Sequence, residues 1–172
     1  MFSTSVSGVV AGVVFSVLLA SVCVWDVRAR RIPNRLVLVI LLLGVGYSVA
    51  ADPWLPGALR ALGGLTVGLA IWLPFYLLRM MGAGDVKFFA AASAWLGPAL
   101  AVKAALLSGV LGGVLALVWL FKNRWLLALV RPSSGARGSG SFAPTAAPAW
   151  KRVPYGVAMA LGLAATAWLP SL

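Results

Sequence analysis

The chain has 172 residues, of which 62% are hydrophobic and 10% are charged, and its mean hydropathy is +1.02. This composition lies far outside the range of water-soluble globular proteins. The sequence has no histidine and a single cysteine, which excludes histidine-dependent hydrolysis, disulfide frameworks and metal sites built on cysteine or histidine. The net charge of +11 comes from basic residues between apolar runs, a pattern that indicates anionic membrane lipids rather than nucleic acid as the partner.

A membrane-spanning helix needs about 20 mostly apolar residues, and the chain contains six runs that approach or reach this length. They cover residues 6–25, 34–51, 59–78, 86–100, 101–121 and 153–169. The sequence between them is too short for a separate soluble domain. We therefore predict an all-α integral membrane protein with six transmembrane helices, folded as a single domain over residues 1–172.

The basic residues between the predicted spans are distributed unevenly. Twelve of the 14 lysine and arginine residues fall in the first, third and fifth connections or at the span ends beside them, and only Arg60 and Lys103 fall on the other side. Positive residues mark cytoplasmic loops, so we expect these three connections in the cytoplasm and both termini on the non-cytoplasmic side. The fifth connection is rich in serine and glycine at about 131–150, which predicts a flexible cytoplasmic loop.

Carboxylates are scarce in the chain, which has three aspartates and no glutamate. Asp26 follows the first predicted span and Asp85 precedes the fourth, so the topology places both at the cytoplasmic face. A charge at membrane depth costs roughly 2.5 to 3.5 kcal/mol on insertion scales, and a chain that keeps two such residues is expected to use them. Asp52, which precedes Pro53, is interpreted as a turn residue on the opposite side.

Two carboxyl groups within hydrogen-bonding distance share one proton, because both are not easily ionised together. The ionised group can activate a water molecule while the protonated group supplies a proton, as in aspartic proteases, without a metal or a cofactor. Asp85 at a helix start favours the ionised form and Asp26 at a helix end favours the protonated form. We therefore expect Asp85 to be the base and Asp26 the acid, although the arginines that follow Asp26 oppose this assignment.

Several neighbours of the aspartates have candidate roles. Gly82 and Gly84 can adopt backbone angles closed to other residues, and their lack of side chains would let a substrate strand approach the carboxylate. Lys87 has two interpretations, a contact with a substrate carbonyl or lipid headgroup and an ordinary interfacial lysine. Pro33 blocks helix propagation, and Asn34 is expected to be the N-cap of the second helix.

Small residues also recur at the spacing of helix contact faces, which predicts close packing between helices. The pairs are Gly8 and Gly12, Gly64 and Gly68, and Gly109 and Gly113. Each pair is expected to face a neighbouring helix.

Three segments resemble motifs of the type IV prepilin peptidases, which are grouped with presenilin and signal peptide peptidase as GxGD membrane aspartic proteases. Residues 82–87, GAGDVK, resemble the GxGDxK motif of this family. Asp26 followed by RRIPN at 30–34 resembles its first aspartate with a trailing basic-Ile-Pro-Asn sequence. VPYGVA at 153–158 resembles the Pro-Tyr-Gly segment that opens its last helix, although proline and tyrosine there also suit an ordinary helix start at the membrane interface.

The resemblance implies that Asp26 and Asp85 are the catalytic pair. It also implies a type IV pilin-like precursor as substrate, cut after the glycine that ends a short basic leader, at the cytoplasmic face of the bacterial inner membrane. The other motif residues would bind substrate or shape loops, and they are Gly82, Gly84, Lys87, Pro33, Asn34, Pro154, Tyr155 and Gly156. Larger members of the family carry an added N-terminal region with a four-cysteine loop that this sequence lacks, so the chain is more similar to the short peptidases of tight-adherence pilus systems.

Two other classes of function stay open on the residues alone. Asp26 and Asp85 could relay protons in a small proton-coupled transporter, since intramembrane acids often do so. The chain could also be a non-catalytic subunit of a pilus or secretion assembly. In a plainer interpretation, both aspartates are helix-boundary residues that nearby arginines neutralise. Against transport, both acids fall at one membrane face rather than at the midplane, and the sequence shows no internal repeat.

Overall fold

The computed structural model describes residues 6–29, 32–122 and 155–169, without the side chains of 119–122. Within these ranges the chain forms α-helices and no β-strand, which confirms the predicted all-α fold class. The six helices are α1 (Val6–Ala29), α2 (Asn34–Ala51), α3 (Trp54–Leu77), α4 (Ala83–Leu96), α5 (Pro98–Lys122) and α6 (Tyr155–Trp168). The predicted flexible loop at 131–150 lies outside the described residues.

Four of these helices, α1, α2, α3 and α5, are long and apolar enough to cross a membrane. The other two, α4 and α6, have 14 residues each, which gives a length of about 21 Å at 1.5 Å per residue. This is shorter than the hydrocarbon core of about 30 Å. The cytoplasmic orientation of the loops and the non-cytoplasmic termini stay predictions.

Several helix boundaries differ from the expected ones. Helix α1 continues to Ala29, so Asp26 lies in its last turn rather than after it. Helix α3 begins at Trp54, earlier than expected, because prolines are compatible with the N-cap and the first turn of a helix. The prediction of Asn34 as an N-cap is wrong: Pro33 occupies that position, and it has no side-chain acceptor for a capping hydrogen bond.

Helix α4 is the centre of the bundle. It packs against α2, α3, α5 and α6, and all of its residues from Phe88 to Leu96 are buried. Its Trp95 donates a hydrogen bond of 2.9 Å from Nε1 to the carbonyl oxygen of Ile40 in α2. The same indole lies 5.6 Å from the ring of Tyr47 and 5.2 Å from the ring of Phe15. These contacts fix the rotation of α4 and therefore the direction of its first turn.

Small residues let α3 approach α4 closely. Gly64 and Gly68 in α3 both lie against Ser93 in α4, which confirms the predicted contact face. On the other side of α4, the hydroxyl of Ser48 in α2 donates a hydrogen bond of 3.0 Å to the carbonyl oxygen of Ala94. Such short contacts and serine hydrogen bonds hold helices together where the surroundings are apolar.

The other predicted glycine pairs have different outcomes. Gly8 and Gly12 are both buried in α1. The prediction for Gly109 and Gly113 is wrong, because a Cβ added at either would meet nothing within 4 Å. Their neighbour Gly112 faces α6 instead, and a Cβ there would lie 3.7 Å from side chains of that helix.

A polar contact lies beside the C-terminal end of α4. Asp52, at the C-cap of α2, forms an ion pair of 2.7 Å with Arg60 in α3. Arg60 also donates a hydrogen bond of 3.3 Å to the carbonyl oxygen of Trp95, beside Gly97, whose φ of +80° favours glycine. Asp52 is thus a structural residue at the opposite end of α4 from Asp85.

We expect Gly64→Ala to destabilise the protein by about 1 to 3 kcal/mol. A Cβ at this position would overlap the carbonyl oxygen of Ser93 and force α3 away from α4. Gly46→Ala is the matched control, because Gly46 is exposed in α2 and a Cβ there would meet nothing within 4 Å. Unfolding in mixed detergent micelles, followed by tryptophan fluorescence, measures both variants. Equal stability of the two would contradict the close packing of α3 on α4.

Candidate active site

Asp26 is buried at the junction of α1 and α6. It lies in the last turn of α1 and is only 7% exposed. Gly156, in the first turn of α6, approaches it so closely that an added Cβ would lie 2.7 Å from Oδ2 and 3.0 Å from Cγ of Asp26. Any larger residue at position 156 would therefore displace the carboxyl group. The Pro-Tyr-Gly segment is thus adjacent to the first aspartate, although Pro154 itself lies outside the described residues.

Asp85 is half-buried in the first turn of α4, as predicted. The backbone N–H of Gly82 donates a hydrogen bond to its carboxylate. Gly82 is the N-cap residue with φ −74° and ψ 145°, so the prediction of an unusual backbone angle is wrong for this glycine. Its small size matters instead, since an added Cβ would lie 3.3 Å from Oδ2 of Asp85.

The segment before α2 approaches the start of α4 at Gly84. Gly84 lies inside α4, so it too has an ordinary helical backbone, and an added Cβ would lie 3.5 Å from Cβ of Ile32. Ile32 belongs to the RRIPN segment that follows Asp26 in the sequence. Two of the three sequence motifs therefore meet at this contact. The arginines of that segment, Arg30 and Arg31, are outside the described residues.

The two aspartates are close enough to interact electrostatically. Burial, and secondly the charge of Asp26, raise the pKa of Asp85 to about 7, while the hydrogen bond from Gly82 acts in the opposite direction. The carboxylate of Asp85 also interacts electrostatically with the phenol of Tyr155, the residue before Gly156. Residues from the ends of α1, α4 and α6 thus form one cluster, which we call the aspartate site: Asp26, Gly82, Asp85, Tyr155 and Gly156.

The remaining predicted residues lie at the periphery. Lys87 is exposed on α4, one turn or less from Asp85, and Asn34 is exposed at the start of α2. Pro33 is half-buried and accepts hydrogen bonds through its carbonyl oxygen from Leu36 and Val37, at 3.0 and 3.3 Å. Pro33 therefore stabilises the first turn of α2 through its carbonyl oxygen.

Sequence reasoning missed an apolar cavity beside the aspartate site. Its volume is about 710 Å³, and its walls come from α3, the α3–α4 connection, α5 and α6. Met81 and Tyr155, which directly precede Gly82 and Gly156, both line it. No sequence pattern marks such a cavity, because it arises from how three separate helices pack.

Two coupled carboxyl groups can hold one proton between them and exchange it with a bound water or peptide. No group of three or more potential metal ligands occurs within 6–29, 32–122 and 155–169. The carboxyl pair itself can support acid–base chemistry.

The chain was compared with known proteins. The model of the type IV leader peptidase family matches residues 13–117, more than half of the chain and a range that contains both aspartates. A curated relative, the prepilin leader peptidase/N-methyltransferase of Xanthomonas campestris pv. campestris, is 30% identical over 115 residues, which cover 63% of this chain and 40% of the relative. The chain thus aligns with less than half of that relative's length. No solved structure matches significantly.

The family match and the relative agree with each other, and the matched range contains two of the three sequence motifs, those at 26–34 and 82–87. Together with several apolar helices, they fit a multi-pass membrane protein. The chain belongs to the type IV leader peptidase family.

Proposed function

We propose that the protein is an aspartic endopeptidase that removes the leader of type IV pilin-like precursors, with Asp26 and Asp85 as its catalytic residues. The observation that carries this proposal is the meeting of two carboxyl groups at the ends of α1 and α4, Asp26 buried and Asp85 half-buried. Burial, and secondly the charge of Asp26, raises the pKa of Asp85 there to about 7. The family supplies the substrate class, since its described activity is that of a leader peptidase.

The reaction requires one proton on the pair. The ionised carboxylate accepts a proton from a water molecule, and the oxygen of that water attacks the peptide carbonyl carbon. The protonated carboxyl donates to the carbonyl oxygen as the tetrahedral intermediate forms. As the C–N bond breaks, the leaving amine takes the proton that the first carboxylate accepted from water. The other carboxylate takes a proton from a hydroxyl of the intermediate as the new carboxyl group of the product forms, so the pair is again singly protonated.

Two effects oppose each other in the choice of base. The helix start and the N–H of Gly82 favour ionised Asp85, whereas burial and the charge of Asp26 raise its pKa to about 7. Burial and the charge of Asp26 outweigh the helix start and the N–H of Gly82, because the net pKa of Asp85 is raised. This result favours Asp85 as the residue that holds the shared proton, which is the opposite of the assignment made from the helix ends. Whichever aspartate holds the proton, the reaction needs one proton on the pair.

The finer features of the proposal follow from the charge pattern and the family resemblance. The basic connections favour an aspartate site at the cytoplasmic face of the bacterial inner membrane. The substrate would be cut after the glycine that ends a short basic leader. Exposed valines and leucines along α1, α2, α3 and α5 supply the apolar surface that membrane lipids would cover.

The direct test is cleavage of a type IV pilin precursor by the purified full chain in detergent, followed by the mass of the product. We expect Asp26→Asn and Asp85→Asn each to lower the rate about a thousandfold or more, as removal of a catalytic group does. Asp52→Asn is the matched control, because Asp52 pairs with Arg60 at the other end of α4. Cleavage by either active-site variant at the unsubstituted rate would show that this aspartate is not catalytic. An intact precursor with the unsubstituted protein would favour the transporter or assembly-subunit functions.

The cleavage rate should depend on pH and should begin to fall near pH 7. Asp85 is protonated below its raised pKa of about 7 and ionised above it. The pair therefore loses its shared proton as the pH rises through 7, and kcat/KM should fall about tenfold for each further pH unit. The profile is measured between pH 5 and 9, with tryptophan fluorescence to show that the protein stays folded. A rate that keeps rising up to pH 9 would contradict the shared proton.

Gly156→Ala should impair the reaction without unfolding the protein. Its Cβ would lie 2.7 Å from Oδ2 of Asp26, so the carboxyl must shift, and a displacement of about 1 Å can lower a rate about a hundredfold. We expect kcat to fall while KM changes little, which marks Gly156 as a positioning residue. Gly46→Ala, with open space around its Cβ, should behave like the unsubstituted protein. Full activity of Gly156→Ala would show that Asp26 does not need its observed position.

A further inference from the structure

Tyr155 adjoins both carboxyl groups of the aspartate site. It is the first residue of α6, and the next residue, Gly156, lies against Asp26, where an added Cβ would be 2.7 Å from Oδ2. The phenol of Tyr155 interacts electrostatically with the carboxylate of Asp85. Helix α6 therefore brings a third polar side chain to the place where the carboxyl groups of α1 and α4 meet.

The hydroxyl of Tyr155 has no hydrogen-bond partner within 6–29, 32–122 and 155–169, and Asp85 is not one either. The other hydroxyl among the described residues that line the apolar cavity belongs to Ser108, and it donates to the carbonyl oxygen of Met159 at 3.3 Å. A tyrosine hydroxyl in largely apolar surroundings normally finds an acceptor. That of Tyr155 is therefore available to an acceptor outside the described part of the chain.

The ring of Tyr155 has a defined position. It lies over Gly112 of α5, where an added Cβ would be 3.7 Å from the ring atom Cδ1. The side chain is half-buried, and it lines the cavity together with Met81, the residue before Gly82. Helix α5 thus positions the phenol at the edge of the aspartate site.

The phenol keeps its proton under the conditions in which the carboxyl pair would act. Burial, and secondly the charge of Asp85, raises the pKa of the Tyr155 phenol above its usual value of 10.0. The group is therefore a hydrogen-bond donor rather than a base between about pH 5 and 9. Since the phenol and the carboxylate interact without a hydrogen bond between them, a substrate group can lie between the two and contact both.

We propose that Tyr155 is a third catalytic residue, whose hydroxyl donates a hydrogen bond to the carbonyl oxygen of the scissile peptide bond. This proposal rests on the proposed peptidase function and adds a residue to its mechanism. A carbonyl oxygen has two lone pairs, so one accepts from the protonated carboxyl group and the other from the phenol.

The phenol acts on the step in which water attacks. Negative charge develops on the carbonyl oxygen as the new C–O bond forms, so a donor fixed beside that oxygen stabilises the transition state more than the bound substrate. The O–H bond of Tyr155 stays intact throughout. The proton that the oxygen receives comes from the carboxyl pair, and the protons on Asp26 and Asp85 are counted as before.

The first test removes only the hydroxyl. Tyr155→Phe keeps the ring and its contact with Gly112, so the protein should fold, and tryptophan fluorescence checks that it does. We expect kcat for a type IV pilin precursor to fall about a hundredfold, as loss of one such donor does, while KM changes less than about threefold. Tyr76→Phe is the matched control, because Tyr76 is exposed in the last turn of α3 and does not line the cavity.

The second test asks whether the hydroxyl meets the reacting oxygen. Two uncleavable peptides that span the cut are compared, a hydroxyethylene peptide with CH(OH)–CH₂ in place of the scissile amide and an ethylene peptide with CH₂–CH₂. They differ by one oxygen atom. We expect Tyr155→Phe to weaken binding of the hydroxyethylene peptide about five- to tenfold and to leave binding of the ethylene peptide unchanged, as measured by calorimetry in detergent.

The third test observes the phenol without altering it. The chain has three tyrosines, so Tyr47→Phe combined with Tyr76→Phe leaves Tyr155 as the sole phenol. Its ultraviolet Raman bands, which report the hydrogen bonding of the hydroxyl, should shift when the hydroxyethylene peptide binds and stay in place when the ethylene peptide binds. This measurement tests the proposal even if Tyr155→Phe does not fold.

The outcomes separate the two proposals. If the unsubstituted protein leaves every precursor intact, the peptidase function is wrong and the catalytic role of Tyr155 falls with it. If the protein cleaves the precursor and Tyr155→Phe keeps its kcat, the peptidase function stands and Tyr155 is an ordinary interfacial tyrosine. If kcat falls, but both peptides lose affinity equally and the Raman bands do not shift, Tyr155 shapes the site without contacting the substrate oxygen. Either of the last two results overturns the proposal.

Discussion

The structure depends on bringing two carboxyl groups together where little water can screen them. Burial, and secondly repulsion from the charge of Asp26, raises the pKa of Asp85. Two like charges stay close in such a place only if the surrounding helices cannot move apart. The rest of the bundle supplies this rigidity, and in the proposed reaction the retained proton is the one that the pair exchanges with substrate.

Rigidity comes mainly from α4, which carries Asp85 in its first turn and is enclosed by four other helices. Glycine contacts with α3, serine hydrogen bonds and the anchored indole of Trp95 prevent this helix from sliding or turning. Its far end is held by Arg60, which pairs with Asp52. At the near end, Gly156 leaves just enough space for Asp26. The site is thus positioned by small residues as much as by large ones.

The sequence was sufficient to predict the helices, the two aspartates and the segments around them, because hydropathy and scarce carboxylates are local signals. It was not sufficient for features that depend on packing. Gly82 looked like a residue with a special backbone angle, yet its backbone angles are ordinary and its close approach to the carboxylate of Asp85 is the feature that the structure adds. Gly109 and Gly113 have the spacing of a contact face but border open space. The cavity beside Tyr155 combines three helices that no sequence pattern connects.

The most direct test of the account is an infrared titration of Asp85 with and without its partner. The chain has only three acidic residues, so Asp26→Asn with Asp52→Asn leaves Asp85 as the sole side-chain carboxyl, and Asp52→Asn alone keeps the pair. The account predicts that the carboxyl band of Asp85 titrates near pH 7 when Asp26 is present and at a lower pH when it is replaced. An unchanged midpoint would show that burial alone sets this pKa and that the two carboxyl groups do not act as a pair.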